Sequence, residues 1–148
     1  MNVCLIYYSK YGNGKEVVEH LGRIFQDRSH GSTIYSISDL DPTKLPEADL
    51  YIFSSPTHIG GPPRKVKKFL KKLPQFKHDP KYSLITTMMD PKSKTLQKME
   101  SILQPKGMRI MTEGLSINVS GMKGPLESNY QEKLESFATN ILDKANAN

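Results

Sequence analysis

Cysteine is nearly missing from the chain: Cys4 stands alone. A single thiol excludes a disulfide framework and a CxxC metal site. Tryptophan is absent altogether. The four histidines, His20, His30, His58 and His78, show no metal-ligand spacing such as HExxH. No apolar run approaches the roughly 18 residues that a membrane-spanning helix needs. The apolar start, Met1 to Tyr8, is short and carries neither a basic leader nor a small-residue cleavage site. It is therefore not read as a signal peptide, and the expected location is cytoplasmic, with no membrane contact. Hydrophobic residues at 36% and charged residues at 24% exclude a disordered chain. A length of 148 residues suits one domain, 1–148, with one good core.

What is present is alternation. Val3 to Tyr8 is a short β-rich run, apolar on both faces, as a central parallel strand requires. Val17, Val18, Leu21, Ile24 and Phe25 then fall at helical spacing, predicting a helix over 14–28. Thr33 to Ile37 reads as a second strand and Leu50 to Phe53 as a third. Val66, Phe69, Leu70 and Leu73 mark a second helix behind Pro62-Pro63. Tyr82 to Met89 is a fourth strand, and Leu96, Met99, Ile102 and Leu103 a third helix stopped near Pro105-Lys106-Gly107. Arg109 to Val119 holds a fifth strand in which Gly114 predicts a bulge or break. Leu134, Phe137, Ala138, Ile141 and Leu142 define a last helix. Strict alternation predicts an α/β three-layer sandwich, a five-stranded parallel sheet of order 2-1-3-4-5 covered by helices on both faces. In such sheets a ligand sits beyond the carboxyl ends of the strands, at the switch point between the first and third.

The loops after Tyr8, Phe53 and Met89 are thus the candidates. The first, Ser9-Lys10-Tyr11-Gly12-Asn13-Gly14, joins a buried strand to a helix N-terminus, where small residues and the helix dipole favour an anion. It matches neither the Walker A pattern nor GxGxxG, and an ordinary glycine turn would look the same. The second, Ser54-Ser55-Pro56-Thr57-His58-Ile59-Gly60-Gly61-Pro62, is shaped by paired glycines and prolines and can lay backbone against a flat ring. Two glycine-bearing loops at one switch point are more specific than either alone. His58 reads as a ring-facing residue or as a solvated loop histidine. Met88 and Met89 read as a cofactor wall or as the end of a buried strand. Gly121 to Pro125 either approaches the same edge or is a plain loop.

These loops carry a family resemblance. The first resembles the flavodoxin phosphate loop, Ser/Thr-x-Thr-Gly-Asn-Thr. Tyr7-Tyr8-Ser9-Lys10-Tyr11-Gly12 is similar still to the YYSxYG of flavodoxin-like NAD(P)H:quinone oxidoreductases. Pro56 to Gly60 resembles their Pro-Thr-x-x-Gly loop. The resemblance implies the flavodoxin-like fold, bound FMN and an electron-carrying role. It places the phosphate on Ser9, Lys10, Tyr11, Gly12, Asn13 and Gly14. It places Pro56, Thr57, His58, Ile59 and Gly60 along the ring and ribityl chain, and Met88, Met89 and Asp90 at the third flavin loop. Two departures stand out. Gly14 replaces the threonine that closes the family loop, and the usual aromatic sandwich around the ring is missing.

The net charge is +6. It concentrates in Arg64, Lys65, Lys67, Lys68, Lys71, Lys72, Lys77 and Lys81, with Asp79 the only acid in that stretch. Little aromatic interleaving and no binding motif argue against nucleic acid. A solvated helix face is one reading of the lysines. The other is a docking face, Arg64 to Lys72, for an acidic redox protein such as a ferredoxin or a reductase. An FMN-dependent quinone reductase and a flavin-free binding module with the same fold are the alternatives to an electron carrier.

Overall fold

The structure is a computed structural model that describes residues 1–147. β1 (Asn2–Tyr7) runs parallel to β2 (Gly31–Ser36) on one side and to β3 (Leu50–Pro56) on the other. β4 (Lys81–Met88) extends the sheet from β3. The fifth position is filled in two pieces, β5 (Arg109–Ile110) and β6 (Leu115–Asn118), both parallel to β4. The order is β2-β1-β3-β4-β5, the expected 2-1-3-4-5. The break expected at Gly114 is there, with a physical cause. A Cβ on Gly114 would meet Leu96 Cδ1 at 3.0 Å and the Leu84 carbonyl oxygen at 3.3 Å, so any other residue would crowd both.

Successive strand residues face opposite sides of a sheet, and the central strands here are apolar on both. Val3, Leu5, Leu50 and Ile52 point to one layer, α1 (Asn13–Asp27) and α4 (Tyr130–Ala147). Cys4, Ile6, Tyr51 and Phe53 point to the other, α2 (Arg64–Lys71) and α3 (Thr95–Leu103). Val17, Leu21 and Phe25 on α1, and Leu134 and Ile141 on α4, have no solvent exposure left. Each such side chain contributes roughly 1.5–3 kcal/mol. Burial also pushes the Cys4 thiol up to about 11, which marks it as a core residue rather than a reactive one. Among the described residues, no helix is long and apolar enough to cross a membrane.

Two short elements escaped the periodicity: a 3-10 turn at Gln104–Lys106 ends α3, and another, Ile37–Asp39, follows β2. The latter hangs beside α2 and shapes a groove treated below.

Candidate functional site

Four loops leave the carboxyl ends of β1, β3, β4 and β6 and meet. The first spans residues 8–12. The Tyr8 amide donates to the Ser54 carbonyl at 3.1 Å, which holds the loop to β3. Gly12, with φ +96°, caps α1; its amide donates to Ser9 Oγ at 3.0 Å and its carbonyl accepts from the Glu16 amide at 3.0 Å. The amides of Asn13, Gly14 and Lys15 have no acceptor among the described residues. Beneath them lies Ser54 Oγ, buried and also without a partner. A Cβ built on Gly14 would stand 3.7 Å from that oxygen. Unsatisfied donors thus converge at a positive helix end, which is the setting an anion completes.

The second loop is a tight turn. The His58 amide donates to the Gly61 carbonyl at 2.7 Å, and the Gly61 amide donates back to His58 at 3.2 Å. Its central residues, Ile59 at φ +51° and Gly60 at φ +77°, are both left-handed, as in a type I′ turn. For a β-branched residue this costs about 1–2 kcal/mol, and Ile59 is nevertheless wholly exposed. The Gly60 carbonyl accepts from the Lys94 amide at 3.2 Å. The Ile59 carbonyl alone in the turn has no partner among the described residues. The base of the loop is pinned by hydroxyls. Thr57 Oγ1 lies 2.9 Å from Thr86 Oγ1, 3.1 Å from Ser93 Oγ and 2.7 Å from Thr95 Oγ1.

The third loop follows Met88, which is buried, and Met89, which is exposed. Asp90 turns into its own loop, its Oδ1 accepting from the Lys92 amide at 2.9 Å. The fourth loop folds back on itself. Val119 bridges Leu126, and the Ser120 amide donates to the Pro125 carbonyl at 3.0 Å. Its root is Glu127, which accepts from the Asn118 amide and pairs with Lys133 Nζ at 2.8 Å. Burial acts to raise the Glu127 carboxyl, but those two partners outweigh it and hold it below its ordinary 4.5. The tip, Met122, is tied to the first loop: Asn13 Nδ2 donates to the Met122 carbonyl at 3.1 Å.

Between the loops lies a shallow depression of about 50 Å³. Tyr11 and Asn13 of the first loop, Thr57 and His58 of the second, Met88 and Met89, then Val119 and Met122 line it, with Thr87 beneath. The large apolar side chains left exposed in the described chain are Tyr11, Ile59, Met89 and Met122, one on each loop. Unpartnered amides at a helix N-terminus thus lie beside an apolar rim, a combination that suits a ligand with an anionic group and an apolar part.

The flavodoxin family model matches residues 5–137. The chain belongs to the flavodoxin family. Comparison with curated protein sequences gives no match. Among solved structures the chain is similar to oxidised flavodoxin 2 from Bacillus cereus, at 19% identity and TM-score 0.84, covering 97% of this chain and 99% of that one. It is similar to a Streptococcus pneumoniae flavodoxin at 19% identity and TM-score 0.81, with coverages of 97% and 99%. An archaeal flavodoxin matches at 17% identity and TM-score 0.77, covering 97% and 98%. At these identities the likeness establishes the fold and its three layers.

Within that family frame, the expected site residues sort into groups. Ser9, Gly12, Asn13 and Gly14 build the anion-facing turn; Lys10 flanks it, its Nζ 5.4 Å from the Tyr11 ring centroid. Tyr11, Thr57, His58, Met88 and Met89 line the depression, and Ile59 and Gly60 form the turn tip above it. Pro56 ends β3 and Asp90 closes its own turn, neither of them lining the depression. Sequence reasoning missed Thr87 and Val119 and gave Ser54 no role, while Met122 lies in Gly121 to Pro125, which it reads as either approaching this edge or a plain loop. For Met122 a signal existed: Gly121 and Gly124 bracket it after the fifth strand.

Proposed function

We propose that the chain binds FMN at this site and serves as an electron carrier. The observation that carries the proposal is the pairing of three unpartnered amides at the start of α1 with an exposed apolar residue on each of four loops. The residues present fit the group. The amides of Asn13, Gly14 and Lys15 and the Ser9 hydroxyl hold the phosphate by charge-assisted hydrogen bonds. Ile59, Met89 and Met122 give the ring apolar contact in place of the family's aromatic sandwich. The free Ile59 carbonyl is an acceptor for a ring N–H, on a turn whose Gly60 permits the peptide to reorient. FMN, when bound, supplies one- and two-electron redox chemistry. The protein's part is to hold the ring, orient it and exclude water from one side.

The partner in this proposal is an acidic redox protein, a ferredoxin or a reductase, docking on the cationic α2 in the cytoplasm. A second reading, an FMN-dependent quinone reductase, is favoured by Tyr7-Tyr8-Ser9-Lys10-Tyr11-Gly12. Steady NAD(P)H oxidation with a quinone would establish that reading in place of the carrier. The flavin proposal itself is tested by titrating the flavin-free protein with FMN and with riboflavin. Riboflavin forfeits the phosphate bonds, each worth roughly 1.5–3 kcal/mol, so FMN should bind at least tenfold more tightly. Equal dissociation constants would refute it.

A further inference from the structure

A second concavity opens on the other side of Ser9. Its volume is about 480 Å³, inside the range of roughly 300–1,000 Å³ typical of small-molecule sites. One wall is α2. The six cations of this helix and its end fall into two rows: Arg64, Lys67 and Lys71, and Lys65, Lys68 and Lys72. Spacings of three and four put each row on one face. Only the second row enters the groove. The opposite wall is the end of β2 and the 3-10 turn, where Ser36 Oγ and Ser38 Oγ lie 2.8 Å apart. The floor is apolar: Tyr8, Ile37, Leu40 and Phe69. Lys65 Nζ sits 5.7 Å from the Tyr8 ring centroid. Lys65, Lys68 and Lys72 make no ion pair among the described residues. Asp41 is within electrostatic reach of Lys72 and offsets part of the charge at that end of the row, while its Oδ1 accepts from the Thr43 amide at 2.9 Å and from Thr43 Oγ1 at 2.6 Å.

We propose that this groove binds a nucleotide, its phosphates along Lys65, Lys68 and Lys72 and its base over the apolar floor. Three exposed ammonium groups in a row, none of them ion-paired among the described residues, favour a polyanion over a single charge. Hydroxyls opposite them suit ribose or phosphate oxygens. The floor adds nothing for inorganic phosphate but gives a planar ring a contact surface. A protein face docks over roughly 800 Å² per partner and does not enter a cleft of this width; the outward row of α2 remains free for that. This inference does not rest on flavin binding: the groove meets the proposed phosphate seat only at Ser9 and shares no lining residue with the depression.

The test is a titration of the full chain with ADP, with and without added FMN, followed by NMR of side-chain methyls. Ile37 and Leu40 should shift saturably, and adenosine and pyrophosphate should each bind at least tenfold more weakly than ADP. Lys68→Gln should weaken ADP at least fivefold with the remaining spectrum unchanged, while Lys67→Gln on the outward row should leave it as it was. NADPH binding more tightly than ADP assigns the groove to the nucleotide half of a dinucleotide; equal affinity assigns it to a free nucleotide. Pyrophosphate binding as tightly as ADP would overturn the proposal, reducing the groove to charge alone. So would displacement of ADP by polyglutamate, which would make the patch a docking face for acidic chains, or shifts confined to residues 9–15. A chain that binds no FMN yet shows the Ile37 and Leu40 shifts keeps this inference and ends the flavin proposal.

Discussion

Gly14→Ser is expected to tighten FMN binding, and the structure allows the size of the gain to be worked out. Gly14 is buried in the first turn of α1, and its φ is not positive. The Cβ would lie 3.4 Å from the Tyr8 carbonyl oxygen, 3.6 Å from Ser9 Cβ and 3.7 Å from Ser54 Oγ. All three are van der Waals distances, so a Cβ enters without displacing anything. The serine hydroxyl restores the donor that the family's threonine supplies at this position. One more charge-assisted hydrogen bond to the phosphate is worth about 1.5–3 kcal/mol, or about 10- to 150-fold in dissociation constant. Serine also favours the helix over glycine by about 0.5 kcal/mol, which would raise stability whether or not the hydroxyl reaches the ligand. Gly14→Ala separates the two effects: it should stabilise the flavin-free fold by up to about 1 kcal/mol and leave affinity where it is. Fluorescence titration of both variants with FMN, alongside urea unfolding, gives the comparison. If serine and alanine bind FMN equally, no hydroxyl at this position reaches the phosphate and the reasoning fails.

Gly60→Pro exchanges a φ of +77° for one near −65°, so it should abolish the turn closed by His58 and Gly61. The two one-electron reduction potentials of the FMN-loaded protein should draw together while the phosphate loop keeps FMN bound; an unchanged separation would clear this turn of any redox role. Lys67→Glu with Lys71→Glu should slow electron transfer to an acidic partner and weaken its salt dependence, since exposed charges act mainly on association rate and are screened over about 8–10 Å. Stopped-flow rates indifferent to both salt and substitution would leave that row a solvated face. Glu127→Gln removes the Lys133 pair and weakens the acceptor for the Asn118 amide, so it should cost about 1–2 kcal/mol at neutral pH. The Glu127 carboxyl is held below 4.5 when folded, so this stabilisation is complete above 4.5 and fades as pH falls below it. Denaturation curves of the two proteins should therefore converge in acid, and a constant gap would contradict the assignment.

The sheet was legible because its signals are local. Val3 to Tyr8 and Leu50 to Phe53 are apolar on both faces, and Val17 to Phe25 keep a helical stripe. Gly114 announced the split fifth strand, although its cause, the approach of Leu96 and Leu84, is a tertiary fact. The first loop was legible for the same reason: Ser9 to Gly14 are contiguous. What stayed hidden is assembled from distant segments. Thr57 meets Ser93 and Thr95 across 36 and 38 residues. Neither sequence position looks special, because threonine and serine in loops are commonplace. The groove needs Ile37 and Leu40 opposite Lys65 and Lys68, and the 3-10 turn that brings them there has no periodicity to detect. The lysines of α2 looked like one outward face; their division into two rows follows from which side of the helix the chain end of β2 happens to cover.

The hydrogen bond from Asn13 to Met122 spans 109 positions of the chain. Its consequence is one of timing. During synthesis the first, second and third loops all exist before the fourth is made, and domains take shape from the N-terminus as the chain grows at roughly 5–20 residues per second. Until residues 119–126 have been added, one side of the site is open and Asn13 has no carbonyl to hold. Until Tyr130 to Ala147 follow, the flank of α1 has no α4 packed against it. Residues 119–147 therefore complete the arrangement, and a growing chain has all four loops together only after they have been made.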